Sequence, residues 1–113
     1  MTSLTPTFAA LADATRLKVV ERLLREGELA AGTLADGTGI SGPAMSRHFK
    51  VLREAGLVRM RVEGTRRLYA VRPEAMRAIA DWTLDHRAFW EAGLDRLETM
   101  LALEGDADAR RQD

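Results

Sequence analysis

Apolar positions recur at helical spacing over most of the chain and alternate over one short stretch. Phe8-Ala9-Ala10-Leu11 is a first apolar segment. Asp13 follows as a candidate N-cap, with Thr15 and Arg16 after it. Leu17, Val20, Leu23 and Leu24 then recur with the period of a helix up to Gly27, which supplies a stop. Glu28 to Leu34 reads as a short extended piece and a small helix, and Asp36-Gly37-Thr38-Gly39 as a turn. Ser41 can cap the next helix, expected over 41–56. Pro43 is tolerated in its first turn, where backbone donors lack helical partners. Met45, Phe49 and Leu52 form an apolar stripe at i, i+4 and i+7. Pro43, Arg47, Lys50 and Glu54 lie opposite, with Ala44 and Ser46 at the flanks. Gly56 suits the C-terminal end.

Val58-Arg59-Met60-Arg61-Val62 alternates with period two, the pattern of a half-buried strand. Glu63-Gly64-Thr65 is a turn and Arg66 to Val71 a returning strand, giving a basic hairpin over 58–71. Pro73 suits the first turn of a final helix, expected over 73–103. Its stripe is Met76, Ile79, Trp90, Leu94, Leu97 and Leu101, interrupted by Thr83. The polar end, 106–113, is expected to fray. A short helix, a glycine-containing turn and a second helix describe a helix-turn-helix, and a hairpin directly after it is a wing. The expected fold is therefore mostly α: a winged helix-turn-helix with a two-stranded β-hairpin wing and a long C-terminal helix.

The 113 residues make one small domain over 1–113, with a core thin enough to favour dimerisation. No apolar run approaches the ~20 residues that cross a bilayer. Met1 to Pro6 hold no basic residue, so no secretory signal is expected. The absence of cysteine excludes disulfides, thiolate metal sites, cysteine nucleophiles and thiol redox sensing, and points to the cytosol.

The net charge of zero conceals an asymmetry. Residues 41–72 carry eight basic side chains against Glu54 and Glu63, a net of +6, while 1–40 carry −1 and 73–113 carry −5. A basic centre with an acidic tail suggests a face for a polyanion. A helix that enters a major groove needs one apolar face for docking and an opposite face that is small at its start and cationic further on. The stretch 41–53 meets that need. Ser41, Gly42, Ala44 and Ser46 are its small positions, and Arg47 can pair with guanine edges or a phosphate. Lys50 and Arg53 suit phosphates, His48 is either a phosphate contact or a half-buried structural residue, and Arg66 and Arg67 can reach a flanking minor groove or the backbone.

Three segments carry a resemblance. Residues 8–17, opening Phe8-Ala9-Ala10-Leu11-Ala12-Asp13, resemble the start of the ArsR family of winged-helix repressors. Residues 41–58, Ser41 through Val58, resemble that family's recognition helix almost residue for residue. Glu63-Gly64-Thr65-Arg66-Arg67-Leu68-Tyr69 resembles its wing. The resemblance implies a homodimeric repressor that binds operator DNA and is released by a signal. Gly42 departs from the pattern, which often has glutamine there, and so removes one candidate base contact. The family's cysteine-based sensing site would fall on 28–32, which has no cysteine. Its Asp-x-His site on the last helix is not matched by the adjacent Asp85 and His86. Neither metal nor cofactor is therefore expected. The final helix resembles the metal-free branch, whose members often have no known small-molecule inducer.

Competing readings are weaker. Gly37-Thr38-Gly39-Ile40-Ser41-Gly42 imitates a dinucleotide-binding loop, but no buried apolar strand precedes it. Ser46 and His48 point about 200° apart on a helix and cannot act as nucleophile and base. With no convergent constellation, an enzyme is not expected. Trp82, Phe89 and Trp90 could line a pocket for an apolar inducer. A dimer core, joined by Leu94, Leu97, Leu101 and by Phe8 and Leu11 of the first helix, is the preferred reading. A protein-interaction module on the same fold is opposed by the +6 segment.

Overall fold

The computed structural model describes the backbone of residues 4–111 and the side chains of 4–106. Met1 to Ser3, part of the stretch read for a signal, and Gln112 and Asp113 of the polar end lie outside the described residues. The order is α1 (Thr5–Leu11), α2 (Ala14–Glu26), β1 (Leu29–Ala30), α3 (Ala31–Ala35), α4 (Gly42–Glu54), β2 (Val58–Glu63), β3 (Arg66–Val71), α5 (Pro73–Asp85) and α6 (Arg87–Arg111). The chain divides into two compact units, Met1–Ile79 and Ala80–Asp113.

In the first unit, Asp13 caps α2 by accepting a hydrogen bond from the Arg16 amide. The buried face of α2 is Val19, Val20 and Leu23, while Leu17 and Leu24 are 41% and 54% exposed. The apolar stripe read from the sequence is thus turned by half a residue step. Contacts with α1, α4 and β3 select the side of Val20 that carries Val19 and Leu23. The core joins these residues to Ala10, Leu34, Met45, Phe49, Leu52, Leu57, Val58 and Tyr69.

The hairpin is in place, with Val58 opposite Val71 and Glu63 opposite Arg66. Its turn is Gly64-Thr65. Gly64 has φ +61° and Thr65 is not in the positive region, as a type II′ turn requires, and that turn's twist suits a two-residue hairpin. A third strand that periodicity could not reveal completes the sheet. β1 pairs antiparallel with β3, Leu29 opposite Tyr69 and Ala30 opposite Leu68, so the order is β1-β3-β2 and β2 is an edge.

The C-terminal segment corrects the expectation of one helix over 73–103. It is two helices separated at His86. In a continuing helix the His86 amide would bond the Trp82 carbonyl. Instead it bonds the Thr83 carbonyl at 3.1 Å, and the ring Nδ1 of His86 lies 2.7 Å from the Trp82 carbonyl oxygen. The side chain replaces the backbone bond and ends α5. α6 then extends past Leu103 to Arg111.

Candidate nucleic-acid interface

α4 is held at both ends and along one side. The Ser41 hydroxyl accepts from the Ala44 amide at 3.3 Å. At the other end Leu57 N–H bonds the Leu52 carbonyl and Gly56 N–H bonds the Arg53 carbonyl, both at 3.0 Å. This is the paired closure of a Schellman motif, with Gly56 at φ +76° as its left-handed residue. The motif's hydrophobic pair, Leu52 and Leu57, is wholly buried. Met45, Phe49 and Leu52 dock the helix as expected, and Phe49 stacks on Tyr69 of β3 with ring centroids 4.5 Å apart.

Docking this stripe leaves Arg47 and Lys50 exposed on the opposite side and Ser46 and Arg53 exposed on one flank, with Ser41, Gly42 and Pro43 exposed at the start and Ala44 half-buried. A Cβ on Gly42 would meet nothing within 4 Å, so packing does not require a glycine there. Arg66 and Arg67 are exposed beside the wing turn, on opposite faces of β3: Arg67 is paired with Val62 and Arg66 with Glu63. Among the described residues, no salt bridge engages Arg47, Arg53, Arg59, Arg66 or Arg67. Lys50 lies 3.9 Å from Glu54, an exposed pair that contributes little.

His48 is not on this exposed face. It is half-buried, its Nδ1 lying 3.2 Å from an Arg16 guanidinium nitrogen and 3.9 Å from an Asp13 carboxylate oxygen. The same guanidinium donates to the Ala10 carbonyl at 2.8 Å. Arg16 therefore ties the end of α1, the start of α2 and α4 together. The hydrogen bond from the Arg16 amide, with lesser help from the Arg16 and His48 charges, holds the Asp13 carboxyl below its usual range.

Not all the charge of the basic segment is available. Arg61 forms a two-pronged pair with Glu28, at 2.6 and 3.0 Å to one oxygen and 2.9 Å to the other, and lies 3.1 Å from Glu63. The hydrogen bond from Arg61 lowers the Glu28 pKa and raises that of Arg61 in return. Two cations missed as site residues are Arg59 and Arg72. With Lys50, Arg53 and Arg67 they line an open cleft of about 690 Å³ between α4 and the sheet. Alternation with Val58 and Met60 was the available signal for Arg59; Arg72, between strand and helix, had none.

Phe8 is partly exposed on α1, and Leu11 is half-buried against the core of the first unit. In the second unit Trp82, Phe89, Trp90, Leu94, Leu97 and Leu101 are exposed on the single chain. The Trp82 ring lies 4.5 Å from that of His86, and Phe89 meets Trp90 edge-on at 5.7 Å. Among the described residues, no group of three or more His, Cys, Asp or Glu could hold a metal ion, and no helix is long and apolar enough to cross a membrane.

Comparison with known proteins places this geometry among relatives. A helix-turn-helix domain family matches residues 11–61. The HTH-type transcriptional regulator Rv2034 of Mycobacterium tuberculosis is 43% identical over 99 residues, covering 88% of this chain and 89% of the relative. The crystal structure of an ArsR family transcriptional regulator, RHA00566, superposes with TM-score 0.72 at 32% identity, over 78% of this chain and 96% of that one. A solution structure from Mycobacterium bovis, described as a homodimeric winged helix-turn-helix DNA-binding domain of a possible ArsR-family regulator, gives TM-score 0.60 at 30% identity. It covers 74% of this chain and 79% of that one.

Proposed function

The chain belongs to the ArsR family of winged helix-turn-helix transcriptional regulators, and from that membership we propose that it is a homodimeric repressor acting on a two-fold symmetric DNA operator in the cytoplasm. The observation that carries the reading is the face of α4. It is docked by Met45, Phe49 and Leu52 and presents Arg47 without an ion pair, between the small Ser46 and the cationic Lys50. Arg47 reads base edges. Ser41, Gly42, Ala44 and Ser46 let the start of the helix approach the groove floor. Lys50, Arg53, Arg66 and Arg67 bind phosphates and set register without carrying sequence information. His48, engaged with Arg16, braces α4 on α2.

The exposed apolar residues of the second unit, Trp82, Phe89, Trp90, Leu94, Leu97 and Leu101, supply the dimer contact. That the M. bovis neighbour is described as homodimeric supports a dimer. Two copies then place their recognition helices about 34–36 Å apart, one turn of duplex. No catalytic step, metal or cofactor enters this function.

The test is binding to the DNA upstream of the protein's own gene, beside a scrambled duplex, across a salt series. Selective binding that weakens steeply with salt is expected. Equal affinity for the two duplexes would remove the operator at that place, and no binding to either at low salt would remove DNA as the partner.

A further inference from the structure

The cleft beside α4 has a composition that base reading alone does not need. Ser46, Lys50 and Arg53 recur at i, i+4 and i+7 and form one ridge of the helix. Across from them, Arg67 stands on β3 and Arg72 just beyond it, while Arg59, which alternates with Met60 onto the other face of the sheet and interacts with the Glu28 carboxylate there, touches the cleft from edge strand β2. Five cations, four from three elements and Arg72 from the connection after β3, thus line the cleft, and Glu54 is the one carboxylate among its lining residues. Of the five, Lys50 is paired with Glu54 at 3.9 Å and Arg72 with Glu74 at 3.7 Å, both exposed pairs. Such pairs are weak and exchange readily for a phosphate.

We propose that this cleft seats the sugar-phosphate strand along one wall of the major groove that α4 enters, with Arg59 and Arg72 as additional phosphate-binding residues and Glu54 as an opposing charge. The proposal rests on the DNA-binding reading above and extends it to the root of the wing. An α-helix with its side chains is about 10–12 Å across and a major groove about 12 Å wide, so a helix in the groove has a phosphate strand against each flank. One flank of α4 docks on its own domain. The flank toward the sheet is this cleft, and Ser46 at its edge is the chain neighbour of Arg47. The Phe49–Tyr69 stack holds helix and sheet together beneath it. The cleft is open, as passage of a continuous strand requires, rather than closed around a small anion.

The experiment uses the full chain and a random-sequence duplex, because phosphate contacts are independent of sequence. Affinity is measured by fluorescence anisotropy across a salt series for wild type, Arg59→Gln, Arg72→Gln, Arg59→Lys and Glu54→Gln. Arg25→Gln and Arg77→Gln, exposed cations away from the cleft, report the effect of net charge alone. Arg59→Gln and Arg72→Gln are each expected to lower the slope of log affinity against log salt by about 0.9. That corresponds to a loss of about five- to tenfold at ~0.1 M salt. Arg59→Lys keeps the slope, and Glu54→Gln tightens binding, a sign that damage to folding could not produce. If Arg59→Gln and Arg72→Gln match the two controls while Arg47→Ala still impairs binding, the strand seat is overturned and the DNA reading stands. If wild type does not bind the duplex at low salt, the DNA reading itself fails. Saturable binding of inorganic pyrophosphate to the free protein, lost in both cleft variants whose salt slopes stay at the wild-type value, would also overturn the strand seat, in favour of a small-anion site.

Discussion

Phe49 of α4 and Tyr69 of the central strand lie in stacked contact, ring centroids 4.5 Å apart with 28° between their planes. Both are buried, and this contact sets the wing root against the helix, and with it the spacing between Arg47 and Arg67. The cations of this face are exposed side chains, but the frame that carries them is core.

Tyr69→Ala removes one half of that stack. Loss of a large buried ring costs about 3–5 kcal/mol. Tyr69→Phe keeps the ring and is expected to stay within about 1.5 kcal/mol of wild type. Urea denaturation followed by circular dichroism separates the two. Equal stability of Tyr69→Ala and wild type would show that the stack does not support the fold.

Arg47→Ala tests the reading of the recognition helix. On the operator the loss is expected to be about 1–3 kcal/mol, roughly 5- to 150-fold in affinity, and on random duplex it is smaller. Anisotropy titrations on both duplexes give the ratio directly. Equal losses on the two would reassign Arg47 to a phosphate.

Gly42→Gln probes the departure from the family pattern. The position is exposed and a Cβ there meets nothing within 4 Å, so the substitution fits without repacking. Thermal stability is expected to hold or rise slightly, since glycine is a poor helix residue. A glutamine at this place can bond an adenine edge, so the preferred operator sequence should shift at one base pair per half-site. Selection from a randomised operator library, wild type beside variant, reads the shift. Identical selected sequences would place residue 42 away from the bases.

Asp13 gives the fold a dependence on acid. Its carboxyl titrates below the ordinary 3.8 in the folded chain, chiefly through the Arg16 amide hydrogen bond. A depressed carboxyl pKa contributes stability above the unfolded-state value and loses it as pH falls through the folded value. Asp13→Ala is therefore expected to melt a few degrees below wild type at pH 6. The difference should shrink as pH drops below the ordinary carboxyl range. Melting curves at pH 6 and pH 3 decide it, and a gap that is constant with pH would leave the carboxylate's charge without a role.

The apolar face of the second unit predicts self-association. Sedimentation at micromolar concentration is expected to give a dimer for wild type. Trp90→Ala combined with Leu97→Ala should shift it toward monomer, because each large apolar side chain contributes about 1.5–3 kcal/mol when fully buried. A monomeric wild type would remove this face from the dimer reading.

Much of this protein is legible in its one-dimensional pattern, where the cause is local. Asp13 and Ser41 cap helices through bonds that span three residues. Gly56 closes α4 within one turn, and Gly64 turns a hairpin within two residues. The stripe Met45, Phe49 and Leu52 announces both the docked face of the recognition helix and, by exclusion, the exposed face that carries Arg47. Such features depend on backbone geometry and helix period, which neighbouring residues specify.

Other features were decided only by the folded chain. β1 is two residues long and exists because β3 offers it an edge, which no periodicity in Leu29-Ala30 could announce. The buried side of α2 was chosen by three packed neighbours, and Leu17 and Leu24 stayed outside. The break at His86 turns on one ring nitrogen competing with its own amide for the region of one carbonyl. Above all, the charge of the basic segment was redistributed in space. Glu28 engages Arg61 from 33 positions away, His48 turns to Arg16, and Arg59 and Arg72 come beside Arg53. Charges act through distance, and distances between residues far apart in the chain are set by the packed core.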